Sequence, residues 1–289
     1  MKSKRLVVLI VLLCFVVLLV VLSSTVFTLQ TVSLNWLTTR SLLADDDLDS
    51  LTSNVRVPIG ESVFLFKKSD LKEDLEKNNP YLQVVSIETV FPNRAVVHVA
   101  ERKQLYAIKI SQENYIVLDK HLKILNIISA DTLFAISEGN RPAIVEIDNP
   151  NININVGESR TIRVEISQDG IIKETLQFSI GDFLDIENID NFLKDLTESL
   201  LEANYKDQSI RGFISKISLN LNNNEDINIE TRCGIDINLK DCTEELTTKL
   251  LTGIGAYEKL RNEPYFTTTG TISVFKSLVD SKIYAVHSY

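Results

Sequence analysis

The chain has 289 residues, room for one large folded unit or two small ones but not for a multi-enzyme array. Its formal charge of −9 includes three basic residues at the very start, Lys2, Lys4 and Arg5, so the remainder carries −12. An acidic body argues against broad binding to a phosphate backbone, which needs clustered Lys and Arg.

Residues 6–22 are seventeen consecutive apolar residues, and no charge follows until Arg40. A helix running from Leu6 past Leu22 to residue 27 would be about 33 Å long, close to the thickness of a bilayer's hydrocarbon core. The basic head and acidic body orient it with the N-terminus in the cytoplasm and the body outside. A cleaved signal peptide shares the basic head, but this run exceeds the usual apolar region and no A-x-A site closes it. A core helix of a soluble protein would need a polar face, and this one has none. The expectation is a cytoplasmic head over residues 1–5 and an uncleaved anchor over 6–27.

After the anchor, residues 28–34 read as a poorly alternating strand. Asp45, Asp46 and Asp47 then place negative charge at the start of a short helix through Leu48 and Leu51. As a calcium loop the triplet lacks the spaced oxygens, the Gly and the closing Glu. Ser69 is the expected N-cap of a second helix carrying Leu71 and Leu75, which Asn78, Asn79 and Pro80 stop. A hairpin follows. Val85 and Ile87 form one face of its first strand, Phe91-Pro92-Asn93-Arg94 is the turn, and Ala95, Val97 and Val99 line the return strand, with His98 on the opposite side.

Further strands are predicted over 104–110, 115–118 and 122–127. The stretch after them gives no clear element until the break at Asn149-Pro150. Ile152, Ile154 and Val156 then alternate with Asn, and a hairpin spans 162–178 around Asp169-Gly170. A helix over 189–203 presents Ile189, Phe192, Leu193, Leu196 and Leu200 as one stripe. A three-stranded meander follows, built on Ile217, Leu219 and Leu221, on Ile227, Ile229 and Thr231, and on Ile235, Ile237 and Leu239. Asp241 and Glu244 form a capping-box pattern before a helix carrying Leu246, Leu250, Ile254, Tyr257 and Leu260, which Pro264 ends. Strands over 271–275 and 282–287 close the chain.

Catalytic signatures are missing. There is no phosphate-binding loop, nucleophile elbow or H-E-x-x-H, and Gly253-Ile254-Gly255 falls inside a helical stripe. Glu244 and Glu245 are read as helix-end charges and not as catalytic carboxylates. His98, His121 and His287 match no zinc spacing. Cys233 sits at a predicted turn and Cys242 beyond the next strand, too far apart for a disulfide, so two free or buried thiols are expected. These residues favour binding over catalysis, and no cofactor is expected.

Several motifs, in order along the chain, resemble the bacterial cell-division family FtsQ, called DivIB in Gram-positive bacteria. They are Gly60-Glu61-Ser62-Val63-Phe64, Pro80-Tyr81-Leu82-Gln83-Val84, the Phe91-Pro92-Asn93-Arg94 turn and Val97-His98-Val99-Ala100-Glu101-Arg102. Together they resemble a POTRA domain, with Gly60, Phe64, Pro92, Glu101 and Arg102 as its motif residues. Tyr115-Ile116-Val117-Leu118-Asp119 and Ile124-Leu125 resemble the opening of the family's second domain, although Lys120-His121-Leu122 carries no Gly, Lys103-Gln104 stands where a Pro is usual, and the hairpin near 160–180 is extra.

The resemblance implies an α+β fold: a transmembrane helix, a POTRA domain over 28–102 and a larger strand-rich αβ domain over 103–289. It further implies a non-enzymatic division component at the plasma membrane and division septum, with the single-span proteins FtsL and FtsB (DivIC) as partners and the septal peptidoglycan synthase beyond them. The last strand, with Ile283, Tyr284, Ala285, Val286 and Tyr289, is the expected partner-binding edge. The rival readings are a membrane-anchored envelope enzyme and another POTRA-bearing protein of secretion or assembly.

Overall fold

A computed structural model describes residues 10–18, 21, 26–39, 41–43, 48–157, 161–168, 170–186, 189–205, 207–220, 226–242, 244–263 and 269–288. The predicted anchor falls only partly among them. Residues 10–18 are helical (α1) and exposed, whereas Leu6 and Leu22 lie outside the described residues. Among the described residues, no helix is long and apolar enough to cross a membrane. The chain divides into two compact units, Met1–Arg102 and Lys103–Tyr289.

In the first unit, strand β1 (Thr31–Trp36) precedes helices α2 (Leu48–Thr52) and α3 (Lys68–Asn78) and the hairpin β2 (Leu82–Val90) and β3 (Arg94–Glu101). β3 is the central strand, with β1 parallel on one side and β2 antiparallel on the other. Leu71 and Leu75 of α3 share one core with Leu51, Leu82, Val84, Ala95, Val97 and Val99. The Asp45–Asp47 triplet lies outside the described residues.

Two local expectations fail here. Val85 does not join the buried face: the β2–β3 register shifts between Val84 and Ser86, which leaves Val85 unpaired and 51% exposed while Val84 is 1% exposed. One extra residue in a strand inverts every side chain before it relative to those after it, so Val84 and Ile87 share a face that strict alternation forbids. Ser69 is not the N-cap of α3 either. Lys67 occupies that place without a side-chain cap, and the Ser69 hydroxyl instead donates to Asp70 Oδ1 at 3.0 Å. At the other end, Asn79 closes α3 through its own N–H and Nδ2, both donated to the Leu75 carbonyl.

The second unit is built on a nine-stranded sheet in the order β15-β14-β13-β12-β11-β7-β4-β5-β6. Its strands are β4 (Tyr106–Lys109), β5 (Asn114–Leu118), β6 (Ile124–Ser129), β7 (Ala143–Asp148), β11 (Ile214–Asn220), β12 (Asp226–Thr231), β13 (Ile235–Leu239), β14 (Gly270–Lys276) and β15 (Ile283–Ser288). Strands β8 (Ile152–Val156), β9 (Ile162–Gln168) and β10 (Ile171–Phe178) form a separate antiparallel sheet. Ile154, Ile162, Val164 and Phe178 of that sheet belong to the same core as the stripe of helix α5 (Ile189–Glu202).

The indistinct middle of the sequence holds α4 (Ala130–Ala135) and β7, and a further helix, α6 (Asp207–Phe213), precedes the meander. β7 joins the two halves of the large sheet, running parallel to both β4 and β11. Its Glu146 is held between Lys109 Nζ at 2.8 Å and Lys216 Nζ at 2.9 Å from those neighbours. Hydrogen bonds from these two lysines hold the Glu146 carboxyl below its usual range.

Helix α7 (Leu246–Arg261) packs on β13 and β14. A Cβ at Gly253 would meet Ile237 Cγ2 at 2.8 Å, so this glycine permits close approach of helix and sheet and is no phosphate loop. The expected capping box does not form. Glu245 is the N-cap at φ 58° with no side-chain cap bond, its carboxylate pairing instead with Lys276 Nζ at 2.8 Å, and the buried Lys249 ammonium donates to the Asp241 carbonyl.

Candidate functional site: an open sheet edge

The nine-stranded sheet has two edges, and they differ. Alongside β6, residues 181–184 cover the beginning of the strand, with Gly181 N–H donating to the Ile124 carbonyl and Ile124 N–H to the Asp182 carbonyl, both at 2.8 Å. Among the described residues, β15 pairs only with β14, in antiparallel register, with Ala285 opposite Val274 and Tyr284 opposite Phe275.

The direction of its main-chain groups follows from the neighbouring ladders. The Val274 carbonyl accepts from Lys240 N–H at 2.9 Å on the β13 side, whereas Ser277 N–H donates across the turn to the Lys282 carbonyl at 2.8 Å. Antiparallel pairs alternate between bonded and non-bonded, so 277:282 and 275:284 exchange bonds and 274:285 does not. The N–H and C=O of Ile283 and Ala285 are therefore turned to the open edge, with no described main-chain partner. Side chains sort the other way. Ile283 and Ala285 pack against the core, while Tyr284 and Val286 are exposed on the outer face, with the Phe275 ring 6.4 Å from that of Tyr284. The Tyr284 hydroxyl donates to Asp280 Oδ2 at 2.5 Å, which holds the Asp280 carboxyl down and pushes the Tyr284 phenol up. Leu278 and Val279 stand exposed in the turn. Tyr289, the other expected anchor, lies outside the described residues.

The motif residues of the first unit occupy two different settings. Glu101 and Arg102 are buried. Glu101 receives the N–H and hydroxyl of Ser41 and the N–H of Leu42, pinning the chain that follows β1. Arg102 donates to the Leu82 carbonyl and pairs with Glu76 Oε2 at 3.1 Å, and Glu76 Oε1 accepts Val84 N–H at 2.7 Å. The charged residues thus clamp α3, β2 and β3 together. Sequence reading missed Glu76; its position next to Leu75, with Arg102 ending a strand, was the available signal. Gly60 has φ 86°, a left-handed backbone that suits glycine, and donates to the Leu29 carbonyl at 2.8 Å. Phe64 and Pro92, in contrast, are exposed.

A cavity of about 720 Å³ in the second unit is lined by Tyr205, Phe213, Arg232, Cys233, Tyr257, Glu258 and their neighbours. Cys233 is half-buried, Cys242 buried and Cys14 exposed, and none of the three is in a disulfide. Burial raises the Cys233 thiol, but hydrogen bonds with Thr231 at 3.0 Å and Tyr257 at 3.2 Å, together with the Ile235 N–H, hold it below its ordinary value. Burial and that same contact push Tyr257 up to about 12. The Arg232 guanidinium is occupied by main-chain carbonyls of Arg211 and Arg141. Among the described residues, no group of three or more His, Cys, Asp or Glu is placed to hold a metal.

Residues 48–102 match the family described as the POTRA domain, FtsQ-type. No curated protein matches the chain. The match begins at α2, yet β1 and Leu29 share the sheet and core of the matched part, so the folded domain starts upstream of it.

Proposed function

We propose that this chain, whose FtsQ-type POTRA domain supports its recognition as a member of the FtsQ/DivIB family, is a membrane-anchored, non-enzymatic assembly component of the bacterial division machinery. The match of residues 48–102 to the FtsQ-type POTRA domain carries the reading. Residues 6–27 serve as the single-pass anchor, with the two folded units outside the plasma membrane at the septum. The open edge of β15 takes an extended segment of FtsB (DivIC) by strand addition, FtsL accompanies it, and the complex links to septal peptidoglycan synthesis. Main-chain groups at Ile283 and Ala285 supply the hydrogen bonds of such an addition, and the exposed Tyr284 offers an aromatic anchor.

A fluorescent fusion of the full chain tests the reading. Recruitment to midcell in dividing cells is expected, whereas an even membrane signal throughout the cycle would defeat it.

A further inference from the structure

Phe64 is the aromatic of a family motif, yet it is 60% exposed and fills no core. Its ring stacks at 5.4 Å on Phe27 and at 5.3 Å on Phe91, itself 58% exposed. Leu65 and Ile59 are exposed beside them. Soluble surfaces scatter single apolar residues, whereas a contiguous aromatic strip marks a contact.

Its location identifies the contact. Phe27 is the last residue of the expected anchor, and its carbonyl accepts Val63 N–H at 2.8 Å, while Thr28 bridges to Ser62. In sequence, only residues 23–26 stand between the seventeen-residue apolar run and Phe27. An anchor that ends at Phe27 therefore brings Phe64 close to the level at which the chain leaves the bilayer. The charges around it are mixed: Lys68 and Arg94 are exposed, Lys67 pairs with Asp70 at 3.9 Å and Glu61 with Arg56 at 3.1 Å. Exposed aromatic rings close to where a chain leaves the membrane are the pattern of a surface seated at the headgroup level.

We infer that the Phe64–Phe91 end of the POTRA domain sits in the headgroup–acyl boundary of the membrane that the chain's own N-terminal segment enters, with Phe64, Leu65 and Phe91 in lipid. This rests on the anchor reading above. The contact fixes the domain's height and tilt over the bilayer, so that the anchor and the rings act as two points of attachment.

The test uses the full chain in vesicles of phosphatidylcholine and phosphatidylglycerol with brominated acyl chains, in a Trp36→Phe background that removes the only native indole. Phe64→Trp places a reporter in the strip, Phe91→Trp repeats it should the first variant fold poorly, and Leu37→Trp is the control. Leu37 follows the far end of β1, about 20 Å along the strand from Thr31 at its start. The expected result is loss of emission to brominated lipid at 64 and 91, with the indole at 37 quenched by acrylamide and not by lipid. Retention of the chain by the vesicles after alkaline extraction reads the anchor separately. Retention without lipid quenching at 64 and 91 overturns the inference and leaves the anchor standing. So does equal lipid quenching at all three positions, or an indole at 64 shielded from both quenchers, which would lie against a second copy of the chain. Release of the chain overturns the anchor reading and the inference together.

Discussion

Val84 and Val85 are adjacent, chemically identical and opposite in consequence. Val84→Asp puts a carboxylate into the core beside Leu75 and Val97, at a cost of about 3 kcal/mol or more. Val85→Asp, on the bulge and facing water, should cost about 1 kcal/mol or less. Val97→Asp belongs with Val84→Asp, since Val97 is fully buried. His98→Ala should be mild, since it releases Asn35 at 3.0 Å and a contact with the exposed Glu88 at 3.4 Å. Urea midpoints of the variants check the order; a loss at 85 larger than that at 84 would mean the bulge is absent. The buried Glu76–Arg102 pair makes the same point with charges, because neither residue looks like a core residue until the other is placed against it.

At the scale of elements, β15 is the part whose role is most directly testable. Ala285→Pro removes an N–H turned to the open edge and leaves the β14 ladder intact, so the fold should keep its melting temperature. Affinity for an FtsB (DivIC) segment, measured by titration calorimetry, should fall about ten-fold, the worth of one main-chain hydrogen bond. Tyr284→Pro is the converse: its N–H belongs to the ladder with Phe275, and its loss should lower the melting temperature. Unchanged affinity in Ala285→Pro would place the partner elsewhere. The helices teach a different lesson. The apolar stripes of α5 and α7 were legible, but the capping residues were not: Lys67 and Glu245 stand where Ser69 and the Asp241–Glu244 pair were expected. Caps are worth about 1 kcal/mol each, little enough for packing of a whole stripe to override.

For the whole molecule, the first folded unit begins within a few residues of Phe27, where the proposed anchor would end. A chain lacking residues 1–25 should be soluble and folded, with circular dichroism of mixed helix and strand. One lacking residues 1–30 should be less stable by about 2–5 kcal/mol, because it loses Leu29, which is 0% exposed, and the hydrogen bonds that Phe27 and Leu29 make to Val63, Glu61 and Gly60. Thermal unfolding of the two truncations checks this, and equal stability would show that the domain begins after residue 30.

By itself the sequence determined the α+β class, the motif order that resembles an FtsQ-type POTRA domain, the meander β11–β13, the helical stripes and the place of the last strand. All of these are written in local periodicity and turn residues, which act over a few positions. Only tertiary structure decided the rest. β7 is a short strand of six residues whose place is set by parallel pairing with β4 and β11 and by the bonds of its Glu146 to Lys109 and Lys216, all distant in sequence. The bulge at Val85 exists because β3 offers Val99 and His98 as successive partners to Val84 and Ser86. Phe64 leaves the core because Phe27 and Phe91, far from it along the chain, arrive at the same end of the domain. Such contacts join residues whose spacing carries no period, and they form only when the whole sheet closes.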